Sequence, residues 1–209
     1  MNRNEIAQLI QLGLEPSPPN PQLNIAVAGG SGSGKTTFTK YLSEQLVGKV
    51  AIVSLDAFFK KPSKLPRYYS NHHKDYRPDY NHPKSFKLNK MVEYCQNIFG
   101  YDYVIFDGHF AIYYASLRRL MGLKIFIELD IDKQLERRSK RNLAKAYGGT
   151  KEEIYHYNQE CVLPAYNRYI KPSKQFANIV LSNNHGAGDE LIEAAKYIAQ
   201  ELHSLKSQI

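Results

Sequence analysis

Cysteine, long apolar runs and acidic residues are all scarce in this sequence. The two cysteines, Cys95 and Cys161, lie far apart and each falls in a helical pattern. Such placement favours reduced core thiols over a disulfide or a thiolate metal site. No stretch approaches the roughly 18 apolar residues that a membrane-spanning helix needs. The segment Met1 to Leu14 breaks its apolar residues with Asn, Glu and Gln, unlike the continuous apolar core of a secretory signal. A cytoplasmic protein with no membrane partner is the expectation. Asp and Glu total 20 against 28 Lys and Arg, leaving a net charge of +8. The basic residues are scattered, dense only at Lys60 to Lys74 and Arg137 to Lys145, and no recognisable nucleic-acid module surrounds either. The charge therefore points to an anionic small molecule rather than to nucleic acid. With 209 residues, 43% hydrophobic and 23% charged, the chain is long enough for one good core and short for two, so residues 1–209 are expected to form one domain.

Apolar spacing alternates between strand and helix. Ile6, Leu9 and Ile10 predict a short helix over residues 4–13, and four prolines between Pro16 and Pro21 form a stiff connector. Leu23 to Ala28 reads as a strand, followed by a glycine-rich turn and a helix marked by Phe38, Tyr41, Leu42 and Leu46. Val50 to Leu55, Tyr103 to Phe106, Lys124 to Leu129 and Asn178 to Leu181 read as four more buried strands. Helices are expected from Leu88 to Phe99 and over Leu191 to Leu205. Strands alternating with helices predict an α/β fold, a five-stranded parallel sheet with helices on both faces. Lys60 to Pro83, rich in Tyr, His, Lys and Pro, has no period and is too long for an ordinary connector.

The glycine-rich turn carries the most specific motif. Gly29, Gly30, Ser31, Gly32, Ser33, Gly34, Lys35 and Thr36 fit the spacing of G, four residues, G-K-T, between a predicted strand and a predicted helix. Glycines let backbone amides approach phosphates with unusual dihedrals, and the following helix adds its positive end. Lys35 would neutralise the β and γ phosphates of ATP, and Thr36 would ligate Mg²⁺. The bland alternative is a glycine-rich turn beside a solvated lysine.

Asp56 and Asp107 end the second and third expected strands of the parallel sheet, where open α/β sheets collect their chemistry. A phosphoryl acceptor needs a base or orienting carboxylate, the role assigned to Asp56, and Mg²⁺ needs an acidic anchor, the role assigned to Asp107. Helix N-capping is the competing reading of each. Arg137, Arg138, Lys140 and Arg141 form a basic face, either a lid over about residues 137–149 that closes arginines onto phosphate or a solvated helix. His72, His73 and His82 lack a Cys or carboxylate at metal-ligand spacing, which argues against a metal site there. Tyr68, Tyr69, Tyr76 and Tyr80 either wall a substrate pocket or pack a long loop.

The order of these pieces resembles the uridine kinase family of P-loop kinases from about Asn24 to about Ile198. Gly29 to Thr37 is similar to its phosphate loop, Leu55-Asp56-Ala57-Phe58-Phe59-Lys60 to its aspartate-aromatic element, and Tyr80-Asn81-His82-Pro83 to its Tyr-Asp-His-Pro motif. Ile105-Phe106-Asp107-Gly108, the segment Ile125 to Arg141 and Ile170-Lys171-Pro172-Ser173-Lys174 are similar to later family elements. The resemblance implies ATP-dependent phosphorylation of a nucleoside 5′-hydroxyl. It maps Asp56 to the catalytic aspartate, Asp107 to the metal-associated acid, Arg138 and Arg141 to lid arginines, and Tyr80, Asn81 and His82 to the substrate side.

The sequence also departs from the family. Asn81 replaces the ribose-holding aspartate, Asp107 replaces a glutamate, and the lid's arginine-glycine-arginine gives way to residues around Ala146-Tyr147-Gly148-Gly149. Only Asn97 to Asp102 stands where the family inserts a base-recognising hairpin. Kinases of another hydroxylated metabolite, such as nicotinamide riboside, pantothenate, glycerate or phosphoribulose, therefore remain alternatives. A non-catalytic nucleotide-binding regulator is disfavoured because Lys35, Thr36, Asp56 and Asp107 are all present.

Overall fold

A computed structural model of the chain describes residues 3–13, 22–184 and 188–206. The connector expected at Pro16 to Pro21 lies outside these residues. The central sheet is built from β1 (Leu23–Gly29), β2 (Val50–Ser54), β5 (Tyr103–Asp107), β6 (Leu123–Glu128) and β7 (Ile179–Ser182). All neighbours run parallel in the order β2-β5-β1-β6-β7. This is the α/β sheet that the apolar runs predict, with strand ends within a residue or two of expectation.

The period-2 geometry of a strand sends successive side chains to opposite faces, and β1 shows what covers each face. Leu23, Ile25 and Val27 enter one core with Phe38, Leu42, Leu191 and Ile198, whereas Ala26 and Ala28 enter a second with Met91, Phe106, Phe110 and Tyr166. Both faces are dry, so these strands read as continuous apolar runs rather than alternating ones. The first core is roofed by α1 (Arg3–Gly13), α2 (Lys35–Gln45) and the C-terminal helix Asp189–Lys206. The second is covered by α3 (Leu88–Asn97), α4 (Ala115–Arg118) and the helical stretch before β7. Among the described residues no helix is long and apolar enough to cross a membrane.

The stretch Lys60 to Pro83 contains regular structure that the sequence did not signal. Arg67–Ser70 (β3) and Asp75–Pro78 (β4) form an antiparallel hairpin outside the central sheet. Tyr69, Tyr76 and Arg77 on it are exposed. Strands without a buried face lack the apolar alternation by which strands are recognised.

The segment expected as a lid begins inside α5 (Ile131–Ala144) and ends in a turn where Ala146, Gly148 and Gly149 take φ values of 52°, 83° and 84°. The next helix, α6 (Lys151–Tyr157), opens with a reciprocal capping box between Thr150 and Glu153. It continues into π-helical turns over Asn158–Val162 and Tyr166–Ile170.

Candidate active site

β1 delivers the chain to the phosphate-type loop, whose glycines are required by conformation and by space. Gly29, Gly32 and Gly34 take φ values of 143°, 91° and 101°. A Cβ on Gly32 would stand 2.5 Å from the Gln134 carbonyl oxygen, and one on Gly34 would stand 2.7 Å from Asn183 Nδ2. The loop is fastened from inside by the Ser33 amide, which donates to Gly30 O over 3.1 Å. From outside, the Asn183 amide at the end of β7 donates to Ser33 O over 2.8 Å. α2 starts at Lys35 with Gly34 as its N-cap and no side-chain cap. A glycine cradle ahead of an uncapped helix N-terminus fits the phosphates of a nucleotide.

Lys35, Thr36, Asp56 and Asp107 converge beside this loop. Lys35 Nζ donates to Gly30 O over 2.9 Å. Burial lowers the Lys35 pKa, while Asp107 and Asp56 pull it back up. The Thr36 hydroxyl donates to Asp107 Oδ2 over 2.7 Å. This pairing of hydroxyl and carboxylate oxygens fits a hard cation such as Mg²⁺, which binds through one or two carboxylates together with phosphate and water. Asp56 sits in the 3₁₀ turn Leu55–Phe58, capped by Ser54, and α4 beyond Asp107 is capped by Tyr114. Neither aspartate is a helix cap. Although 62% of the Asp56 side chain is exposed, desolvation by the surrounding protein, aided by Asp107, pushes its carboxyl up, with Lys35 opposing.

His109 is a member of this group that the sequence did not single out. Its Nδ1 lies 3.9 Å from Asp56 Oδ1, and the side chain is 14% exposed. It packs on Phe110, with ring centroids 4.3 Å apart, and near Phe86. Burial, with Lys35 adding to it, lowers its pKa to about 3, so the imidazole is neutral at ordinary pH. Its Nε2 is buried and finds no hydrogen-bond partner among the described residues. The only sequence cue was position, two residues beyond Asp107.

All five of these side chains border one cavity of about 1060 Å³. Tyr68, Tyr80, Asn81 and Tyr157 also line it, and the hairpin adds His73 and Arg77. The Asn81 amide donates to Tyr157 Oη over 2.9 Å, and its backbone N–H donates to Asp79 Oδ1 over 2.7 Å. Cys161 Sγ donates to the same Asp79 oxygen over 3.1 Å. Cys95 and Cys161 are both free and buried, and burial first of all raises the Cys161 thiol to about 12.

The basic face of α5 divides. Arg138 and Arg141 line the cavity, whereas Arg137 and Lys140 face away from it, exposed. Lys140 pairs with Glu136 at 2.6 Å. Arg138 donates to Asn158 Oδ1 and lies over the Tyr157 ring. Arg141 donates to Ser31 Oγ over 3.2 Å, tying α5 to the glycine loop.

Of the loop only Ser31, Lys35 and Thr36 border the cavity, and neither Thr37 nor His82 does. The His82 ring accepts from the Lys84 backbone N–H over 3.0 Å and meets the Tyr169 ring edge-on, 5.4 Å between centroids. It caps the 3₁₀ turn Pro83–Ser85. Thr37 is exposed on the first turn of α2, because its predecessor Thr36 takes the direction toward Asp107. Of the loop tyrosines, Tyr68 and Tyr80 line the cavity, while Tyr69 and Tyr76 meet edge-on at 5.4 Å on the exposed hairpin.

Comparisons with known proteins agree with this geometry. The chain is 28% identical over 211 residues to a uridine kinase of Bacillus anthracis, covering 87% of this chain and 97% of that one. It is 34% identical over 188 residues to uridine-cytidine kinase A of Dictyostelium discoideum, covering 78% of this chain and 36% of that protein. Its fold is similar to a solved structure described as a putative fructose transport system kinase from Silicibacter sp. TM1040. That match has a TM-score of 0.57 and 15% identity and covers 86% and 98% of the two chains. It is also similar to shikimate kinase from Bacteroides thetaiotaomicron, with a TM-score of 0.53 and 18% identity over 88% and 98%. Residues 59–186, more than half of the chain, match the profile of the phosphoribulokinase / uridine kinase family. The chain therefore belongs to the phosphoribulokinase / uridine kinase family and is an ATP-dependent phosphotransferase that acts on a hydroxyl group.

Proposed function

We propose that the chain phosphorylates the 5′-hydroxyl of a nucleoside, gripping it mainly through the sugar. The observation that carries this reading is that one cavity is bordered both by Lys35, Thr36, Asp56 and Asp107 and by Tyr68, Tyr80, Asn81 and Tyr157. Its relatives named uridine kinase and uridine-cytidine kinase support a nucleoside. Asp56 accepts the proton of the acceptor hydroxyl as that oxygen bonds to the γ phosphorus, and the bond to the departing ADP oxygen breaks. Its raised pKa, caused first by desolvation, makes it a better base than an ordinary aspartate. Lys35 and Arg141 hold the phosphate oxygens, and Arg138 orders the acceptor side. Thr36 and Asp107 would hold Mg²⁺, which supplies positive charge against the phosphates. Residues 1–209 act as one kinase domain, in the cytoplasm where ATP is abundant, and residues 137–149 act as its lid.

α3 runs into β5 through residues 98–102 alone, at the point where the family resemblance would place a base-recognising hairpin. The β3–β4 hairpin instead supplies Tyr68, His73 and Arg77 to the cavity. Arg77 and His73, 2.9 Å apart, also favour a second reading, an acceptor that carries its own acidic group. An ADP-release assay across nucleosides, sugar acids and sugar phosphates tests both. Nucleosides should be turned over with little base preference and with a uridine kcat/KM below ~10⁵ M⁻¹s⁻¹, a value ordinary for a cognate substrate. A higher value would restore base-specific uridine recognition. Faster turnover of an anionic sugar would favour the second reading.

A further inference from the structure

We propose that His72, Glu152 and His156 form a second metal site, for a zinc-class divalent cation, on the outer side of the cavity wall. The nearest donors differ from those at Thr36 and Asp107. His72 lies in the turn between β3 and β4, while Glu152 and His156 stand four residues apart on α6 and so share a helix face. One ligating atom from each of the three lies within 4.8 Å of the other two. The His72 and His156 rings are stacked, with centroids 4.1 Å apart and planes 9° from parallel. The residues adjacent in sequence, His72 and His73, offer no such set on their own. The carboxylate and the second imidazole arrive from 80 or more positions along the chain, through folding.

The framework beneath these side chains is already fixed. Glu160 accepts the His72 backbone N–H over 3.1 Å at one carboxylate oxygen and the Ser70 hydroxyl over 2.6 Å at the other. Tyr68 of β3 meets Tyr157 of α6 edge-on at 5.7 Å. The capping box uses Glu153, so the cap makes no demand on Glu152. Zn–N and Zn–O bonds of about 2.0–2.2 Å bring ligand atoms to roughly 3.4 Å of one another in a tetrahedron. That contraction is within reach of rotation in partly exposed side chains. Two imidazoles and one carboxylate suit Zn²⁺, Co²⁺ or Ni²⁺ and leave a coordination position for water, whereas Mg²⁺ prefers oxygen ligands throughout. None of the three ligands borders the cavity, but Ser70, His73, Glu153 and Tyr157 on the same elements do. A cation here ties the hairpin to α6 from behind the acceptor wall.

The full chain, stripped with a chelator and held in excess Mg²⁺, is titrated with Zn²⁺ by calorimetry and with Co²⁺ by visible absorption. One equivalent should bind, with the intense cobalt bands of a low-coordinate site. His156→Ala and Glu152→Gln should each weaken binding at least about tenfold, the lower end of the loss that even outer-shell changes cause. The metal-free variants should keep a melting temperature near that of the wild type, since Glu152 is exposed and the two histidines are only partly buried. His203→Ala should bind as wild type does. Absence of binding overturns the proposal. So does binding that survives in the His72→Ala/His156→Ala double variant, which would assign it to histidines elsewhere on the surface.

Discussion

The hydroxyl of Thr36 and the carboxylate of Asp107 meet at 2.7 Å although 71 residues separate them in the chain. Thr36 rides on the first turn of α2 and Asp107 ends β5, and β5 is hydrogen-bonded to β1 along its length, Val27 opposite Asp107. The contact is therefore set by the register of the sheet, and the strand that launches the glycine loop also fixes the acid beside it. Lys35 and Asp56 take their places from the same frame.

Lys35→Ala should abolish turnover, with kcat reduced at least about 10³-fold, because a buried ammonium aimed at developing phosphate charge is lost. Melting temperature should change little or rise, since the Lys35 ammonium is desolvated in the fold. Steady-state ADP release and a thermal melt check this, and activity within threefold of wild type would sink the assignment of the loop.

Asp56→Asn should lower kcat by ~10²-fold or more while ATP binding stays nearly intact, since the amide keeps the shape and loses the basicity. In the wild type the rate should fall on acidification as the carboxyl protonates, and the midpoint should lie above the ordinary aspartate value of 3.8 because desolvation raises the Asp56 pKa. Kinetics across pH, with ATP affinity measured separately, distinguish a base from a binding residue. A loss confined to ATP affinity would move the base elsewhere.

His109 predicts a pH effect on stability. Its pKa falls from 6.5 in the unfolded chain to about 3 in the folded one, so between these values the unfolded state binds the proton and the folded state does not. Its contribution is fully present above pH 6.5 and is lost as pH falls toward 3. His109→Gln should flatten the loss of melting temperature over that window relative to wild type. Identical slopes in the two proteins would show that His109 does not govern it.

Residues 137–149 should gain amide-exchange protection when ATP, Mg²⁺ and acceptor are bound together. Among the described residues Arg141 bonds Ser31 and its neighbour Asn142, weak partners compared with phosphate. Hydrogen-exchange mass spectrometry of free and doubly liganded protein measures it, and equal protection would count against a lid.

The parallel sheet was legible because its strands are buried on both faces and appear as unbroken apolar runs, as Leu23 to Ala28 does. The phosphate loop was legible because its glycines, lysine and threonine sit at fixed spacing and only one geometry uses all of them. The hairpin was not, since Tyr69 and Tyr76 face solvent and carry no period. The capping contact of His82 was not legible for a related reason. A histidine beside a substrate motif and a histidine capping a 3₁₀ turn look alike in sequence, and the Lys84 amide that claims its ring is visible only in three dimensions. His109 and the Asp79–Cys161 contact went unmarked because their meaning depends on burial and on partners in other elements.

β1, which carries the phosphate loop, has a hydrogen-bonded strand on each side, whereas the hairpin that carries Tyr68, His73 and Arg77 pairs only with itself. On the reading proposed above, nucleotide handling is anchored in the central sheet and part of the acceptor wall in a hairpin outside it. Exposed positions such as Arg77 tolerate exchange at a typical cost within about 0.5 kcal/mol. On that reading, a change of acceptor is reached through the hairpin without disturbing the sheet that carries the phosphate loop.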